Sequence, residues 1–251
     1  MTEEISDPRI FSRISDFNYI CPQCGSGSLL PDQETFRVVE PEYSKIDRNR
    51  EGWEHSDINY RFTVMYVCAK NNCGEIAFVS GDGGVDYIHI DGDQYGYRDY
   101  LEIKSFFPSP RLCYIPSGVP FQVKMLLEKS FSLYWLDAAA AANALRASLE
   151  ALLDNLGIRR KTERNDGRIS YASLQRRLEI WSISDEEHAD LCFVLKEIGN
   201  LGSHGELVES RHYLGVLGIY SHVLRDIFEN DAEKIQCIAR KIRNELSRKE
   251  I

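Results

Sequence analysis

No run of apolar residues in this chain approaches the roughly 20 needed to cross a bilayer, and the opening "MTEEISDPRI" has neither the basic start nor the apolar core of a signal peptide. The chain therefore reads as soluble and cytoplasmic, without membrane contact. Basic residues are scarce at the front. The first 110 residues hold 10 Lys and Arg against 19 Asp and Glu, while the remainder holds 20 of each, so the formal charge of −9 belongs entirely to the front. Nucleic-acid binding depends on Lys and Arg displacing phosphate counterions, so any such contact must come from the back. Proline is sparse as well. Of the 8 in the chain, four (Pro108, Pro110, Pro116 and Pro120) crowd into "FPSPRLCYIPSGVP", where they rule out a continuous helix and disfavour an internal strand.

That cluster divides the chain into residues 1–107, a Pro-rich linker over 108–120, and residues 121–251. Length and a 43% hydrophobic content allow two modest cores on either side of it.

Seven cysteines are present, and their spacing is informative. Cys21 and Cys24 lie in "CPQCG", Cys68 and Cys73 in "CAKNNCG", each pair followed at once by glycine. In a reducing compartment such pairs are better read as metal ligands than as disulfides. A tight turn sets two thiolates on one side of the chain, and the glycine lets backbone amides face the sulfurs. Four thiolates around tetrahedral zinc leave no open position, so the expected site is structural, with one zinc per chain. The second knuckle is wider than usual, and 43 residues separate the two. His55, in "GWEHSD", is either an exposed loop residue or a replacement ligand. Cys113, Cys192 and Cys237 lack paired spacing and are read as packing residues.

Around the knuckles the period is two. "TFRVVE" (35–40), "YRFTVMYV" (60–67), "IAFVS" (76–80) and "VDYIHI" (85–90) are short and rich in β-branched and aromatic residues. "GDGG" (81–84) and "DGD" (91–93) read as the turns between them. The latter lacks the spacing and closing glutamate of a calcium loop. The front thus predicts a small antiparallel sheet of zinc-ribbon type.

After the linker the period becomes about 3.6. Leu126, Leu127, Phe131 and Trp135 mark one helix, and Asp137 to Leu156 a second, with Leu145, Leu149, Leu152 and Leu156 as its apolar stripe and Gly157 as its stop. "IRRKTERNDGR" carries Arg159, Arg160, Lys161, Arg164 and Arg168, and reads as a solvated loop or as a phosphate contact. Further helices are predicted over 170–181, 184–204, 210–229 and 232–248, giving five or six in an all-helical back. "SDEE" at Ser184 to Glu187 has the pattern of a capping box. In the helix that follows, Leu191, Leu195, Ile198 and Leu201 are expected to face the core. Lys196, Asn200 and His204 recur every fourth residue on another face. Gly199 and Gly202 each weaken that helix by about 1 kcal/mol relative to alanine, which implies that another helix approaches closely.

Taken together, the knuckles, the linker "FFPSP", the helix "ALRASLEALLDNLG" and the ending "IGNLGSHG" resemble the bacterial HEPN-like domain of unknown function that also occurs in type I restriction subunits. The resemblance covers most of the chain. It implies an α+β protein in which a zinc-ribbon-like β domain precedes an all-α HEPN-like bundle. That superfamily, named for nucleotide binding in higher eukaryotes and prokaryotes, is helical and often dimeric. It includes metal-independent ribonucleases of toxin–antitoxin and antiphage systems.

In active members an Arg, a following polar residue and a later His form the site. The His moves a proton of the ribose 2′-hydroxyl or leaving oxygen, and the Arg stabilises the phosphoryl charge. Asn200 and His204 match that pattern, but Gly199 stands where Arg is expected. Lys196 or Arg146 is left to supply the charge, although Arg146 can equally pair with Glu150 four residues on, and His204 can equally serve as a helix cap. The expected function is a zinc-binding adaptor or sensor of a bacterial antiphage defence system, acting through a homodimer of the helical part, RNA or a defence-system partner protein. The alternative is a metal-independent ribonuclease with His204, Asn200, and Lys196 or Arg146 in the catalytic roles.

Overall fold

The computed structural model describes residues 7–12, 18–91, 94–163, 169–203 and 207–229. His204 and Gly205, the predicted helix over 232–248, and Cys237 lie outside the described residues. Within the described residues the chain is α+β: an antiparallel, curled six-stranded sheet followed by a helical region.

The sheet comprises β1 (Ile10–Phe11), β2 (Tyr19–Ile20), β3 (Ser28–Val39), β4 (Asn59–Cys68), β5 (Ile76–Asp91) and β6 (Gln94–Phe107), in the order β1-β6-β5-β4-β3-β2. A short helix, α1 (Glu42–Asp47), and a 3₁₀ turn (His55–Asp57) interrupt the connection from β3 to β4. The period of two is plainest in β4. Phe62, Val64, Tyr66 and Cys68 point inward, while Arg61, Thr63 and Val67 face out, the alternation expected of a sheet covered on one face. Pro31 fits inside β3 because β2 pairs only with Ser28 and Leu29, which leaves the proline on an open edge.

One expectation for the sheet needs correction. "GDGG" is not a turn, because β5 runs straight through Gly81–Gly84 in register with Tyr100–Ile103 of β6. A Cβ at Gly81 would collide with the Glu102 carbonyl, and one at Gly83 with the Tyr100 carbonyl. The glycines thus serve close passage and a bulge at Ser80/Gly81. β6 was not anticipated as a strand. It closes the β5 hairpin through the pair Asp91 and Gln94.

The helical region contains α2 (Phe121–Tyr134), α3 (Ala138–Asn155), α4 (Leu174–Ser182), α5 (Glu186–Ser203) and α6 (Ser210–Phe228). Asp137 begins α3 by accepting from the amides of Ala139 and Ala140 at 2.8 and 3.0 Å, satisfying donors that a helix start otherwise leaves open. α3 packs against α2, α5 and α6, burying Leu145, Leu149 and Leu152, whereas Leu156 is 37% exposed.

The back is not wholly helical. The basic segment contributes β7 (Lys161–Glu163), which pairs antiparallel with β8 (Ile169–Tyr171), so α4 begins after β8, capped by Ser173 on the Arg176 amide at 3.2 Å, and not at Ser170. Ser184 and Glu187 do not form the anticipated capping box. Ser184 donates to the Trp181 carbonyl at 3.0 Å, and Asp185 accepts from the His188 amide at 3.3 Å. On α5 the inward residues are Ala189, Cys192, Leu195 and Ile198, while Leu201 is 39% exposed.

One core connects sheet and helices. Tyr19 of β2, Phe106 of β6 and Trp135 after α2 meet ring to ring, with centroids 5.0–5.6 Å apart, a spacing typical of favourable aromatic pairs. Trp135 also donates to Ser109 in the linker at 2.9 Å, and Tyr134 donates to Asp7 at 2.9 Å. Among the described residues, no helix is long and apolar enough to cross a membrane.

Candidate metal centre and the Arg146–Asn200 contact

The two Cys pairs lie at the C-terminal ends of β2 and β4, the two strands that flank β3. Cys21 follows β2 and Cys24 closes the tight turn after it. Cys68 ends β4, and Cys73 closes the loop that leads to β5. The pairing of Leu29 with Cys68 brings the two turns side by side. Both post-cysteine glycines have positive φ, +64° at Gly25 and +61° at Gly74, a conformation that side-chain-bearing residues rarely adopt. In the first turn, Gly25 donates to the Cys21 carbonyl at 2.9 Å and the Gly27 amide donates to Cys24 Sγ at 3.2 Å.

All four Sγ atoms lie within 4.8 Å of one another, with Cys21–Cys73 and Cys24–Cys68 each at 3.8 Å. A tetrahedral ion with metal–sulfur bonds of about 2.3 Å has edges of about 3.8 Å. The spacing and donor set therefore fit a metal ion. As free thiols, Cys21 and Cys68 are pushed up by burial, while the backbone amides of Ser26 and Gly27 pull Cys24 down. His55 does not join this group. It lies on the 3₁₀ turn, its ring 4.5 Å from that of Tyr97. Cys192 is fully buried and Cys113 partly so, and burial pushes both thiols up to about 12, as suits packing residues.

The second cluster forms where α3 meets the last turns of α5. Arg146 donates through Nη1 to Asn200 Oδ1 at 2.6 Å, and its Nε lies 3.5 Å from Glu150 Oε1. The Glu150 partner read from sequence is thus present, and Asn200 is held beside it. The arginine reaches Asn200 by crossing Gly199, where an added Cβ would come within 2.8 Å of Arg146 Cβ and Cδ. Gly202 likewise admits α3, since a Cβ there would stand 2.5 Å from the Ala139 carbonyl oxygen. The closely approaching helix is α3 of the same chain.

Lys196 turns elsewhere. Its Nζ donates to Gln175 of α4 at 2.6 Å and lies over the Phe193 ring. Beside Arg146 an open groove of about 320 Å³ runs between α2 and α3, lined in part by Gln122, Asn143, Arg146, Glu150 and Asp154. Its described lining residues include one cation and two carboxylates, and Asp154 is bound by the buried Arg177 at 2.7 Å. Of the basic segment, Arg160 reaches Glu150 at 4.0 Å, while Arg164 and Arg168 lie outside the described residues.

Sequence reasoning missed Arg111 in the linker, whose guanidinium lies against Gly25 of the first knuckle. A lone arginine among prolines carries no signal of that contact.

Fold and sites define an α+β protein with a four-cysteine candidate metal centre beside a helical region. Residues 9–109 match a family model described as a domain of unknown function (DUF8608), and residues 128–249 match another described as a domain of unknown function (DUF4145). Neither a curated protein nor a solved structure matches the chain.

Proposed function

We propose that the protein is a zinc-stabilised, HEPN-like interaction module, serving as an adaptor or sensor in a bacterial defence assembly of the kind the sequence resemblance implies. Zinc is the ion best suited to four thiolates in a tetrahedron, and with every position filled by sulfur its role is structural. The observation that carries the non-catalytic reading is the commitment of Arg146. Its guanidinium is held by Asn200 at 2.6 Å and faces Glu150 at 3.5 Å, in a groove with more carboxylates than cations. Phosphoryl-charge stabilisation needs a cation aimed at the substrate, and this one is already engaged.

The same contact supports a second reading, a metal-independent ribonuclease. Arg146 supplies from α3 the guanidinium that position 199 lacks, next to Asn200 and four residues before His204 on the chain. Incubation of labelled RNA with the purified protein in EDTA separates the two. The adaptor reading expects no cleavage beyond that of an Arg146→Ala, His204→Ala double variant. Cleavage in EDTA that the double variant abolishes would establish the ribonuclease instead. An adaptor acting as a homodimer should also sediment at twice the chain mass.

A further inference from the structure

We infer that Arg111 is a positioning residue of the metal centre, a partly buried cation that offsets the negative charge of the thiolate cluster and ties it to the linker and to α2. The inference rests on the reading of the four cysteines as a zinc site.

Four thiolates on a dication leave an excess of about two negative charges, which a partly buried site must balance. Arg111 is placed to do so. Its backbone amide donates to the Ile20 carbonyl at 3.0 Å, one residue before Cys21, so the linker forms a bridge onto the strand that leads into the first knuckle. Its side chain, 17% exposed, folds over Gly25, the residue directly after Cys24. A Cβ at Gly25 would collide with Arg111 Nη1 and lie 3.0 Å from Cζ. The glycine therefore answers two demands, a positive φ and room for a guanidinium against the knuckle.

Ordinary ion pairing does not account for that placement. The carboxylate recorded with Arg111 is Glu128 on α2, at a long 3.8 Å and shared with Lys124 at the same distance. Arg111 Nε is buried and has no hydrogen-bond partner among the described residues. Lys70, another cation beside the knuckles, is exposed and donates to Ser26 at 2.8 Å. Surface charge of that kind is screened within about 10 Å at ordinary salt, whereas a partly buried charge is screened much less. Groups that support a metal's ligands from outside typically contribute 10- to 100-fold to metal affinity.

The test uses the full chain loaded with zinc and titrated with a chromophoric chelator, alongside the same chain loaded with cobalt to read thiolate-to-metal absorption. Three variants are compared: Arg111→Met, Arg111→Lys and Glu128→Gln. Arg111→Met is expected to bind one metal per chain with about tenfold or greater loss of affinity. Arg111→Lys should recover most of that loss, and Glu128→Gln should bind at least as tightly as the parent, because removing a competing carboxylate leaves the cation to the cluster. Unchanged affinity in Arg111→Met overturns the inference, as does an equal loss in the Met and Lys variants, which would make the contact purely steric. If Arg111→Met does not fold, the Lys and Gln variants decide: weaker binding in Glu128→Gln, or full loss in Arg111→Lys, counts against charge compensation. A parent chain with no zinc and no cobalt–thiolate absorption is a different failure, that of the metal reading itself.

Discussion

The Arg146 side chain lies across Gly199, with its Cβ and Cδ 2.8 Å from where a methyl group would stand. Gly199→Ala must displace the arginine from Asn200 or push α3 and α5 apart. Overpacking of this kind costs about 1–3 kcal/mol, against which a better helix former returns at most about 1 kcal/mol. Gly202→Ala should cost more, because it meets the Ala139 backbone and not a side chain. Gly218→Ala on α6 is the control. No neighbouring group among the described residues lies within 4 Å of its added methyl, so up to about 1 kcal/mol of stabilisation is expected. Urea denaturation of the three variants checks the order, and equal effects at all three positions would contradict it.

The start of α5 makes a second prediction. Asp185 accepts the His188 amide, whereas Ser184 donates away from the helix to Trp181. Asp185→Ala should therefore lose about 1 kcal/mol, and Ser184→Ala distinctly less. Thermal melts that rank the two the other way would restore the serine-based cap.

His188 links α5 to α6. Its Nδ1 lies 2.7 Å from Asp185 and its Nε2 3.6 Å from Asp226, which also faces His222 at 3.4 Å, and its ring stacks on Trp181. Burial, the largest single influence, pushes its pKa down, and the two carboxylates together outweigh burial, so the net shift is upward. A raised folded-state pKa means that the stabilisation is fully present below the unfolded value of about 6.5 and fades as pH rises through the folded one. The gap in stability between the parent chain and His188→Gln should be wider at pH 6 than at pH 8.5. A gap that is constant or widens with pH would show that His188 acts as a neutral hydrogen-bonding group.

Much of this was legible in the sequence, and the remainder was hidden for identifiable reasons. The cysteine pairs announce themselves by spacing and by the glycine after each, and Asp137 by its place before an alanine-rich run. "GDGG" misleads because a glycine cluster looks the same whether the chain must turn or must pass close to a neighbour's carbonyls. β6 was obscured by the charges and glycine in "QYGYRDYLEIK", which blur its alternation. Gly199 could be read as a sign of a close helix, but not that the helix was α3 or that Arg146 would fill the space. Such pairings join residues 54 positions apart, and no local pattern carries them.

The proposed zinc, held by the four clustered thiols, would fix a sheet whose core continues into the helices through Tyr19, Phe106 and Trp135. The most direct test measures zinc by elemental analysis and then follows far-ultraviolet dichroism on heating, with and without prior chelation. About one zinc per chain, and a helical melting transition that shifts down when the metal is removed, is the predicted result. Protein purified without chelators that carries no metal, or a helical transition indifferent to its removal, would contradict it.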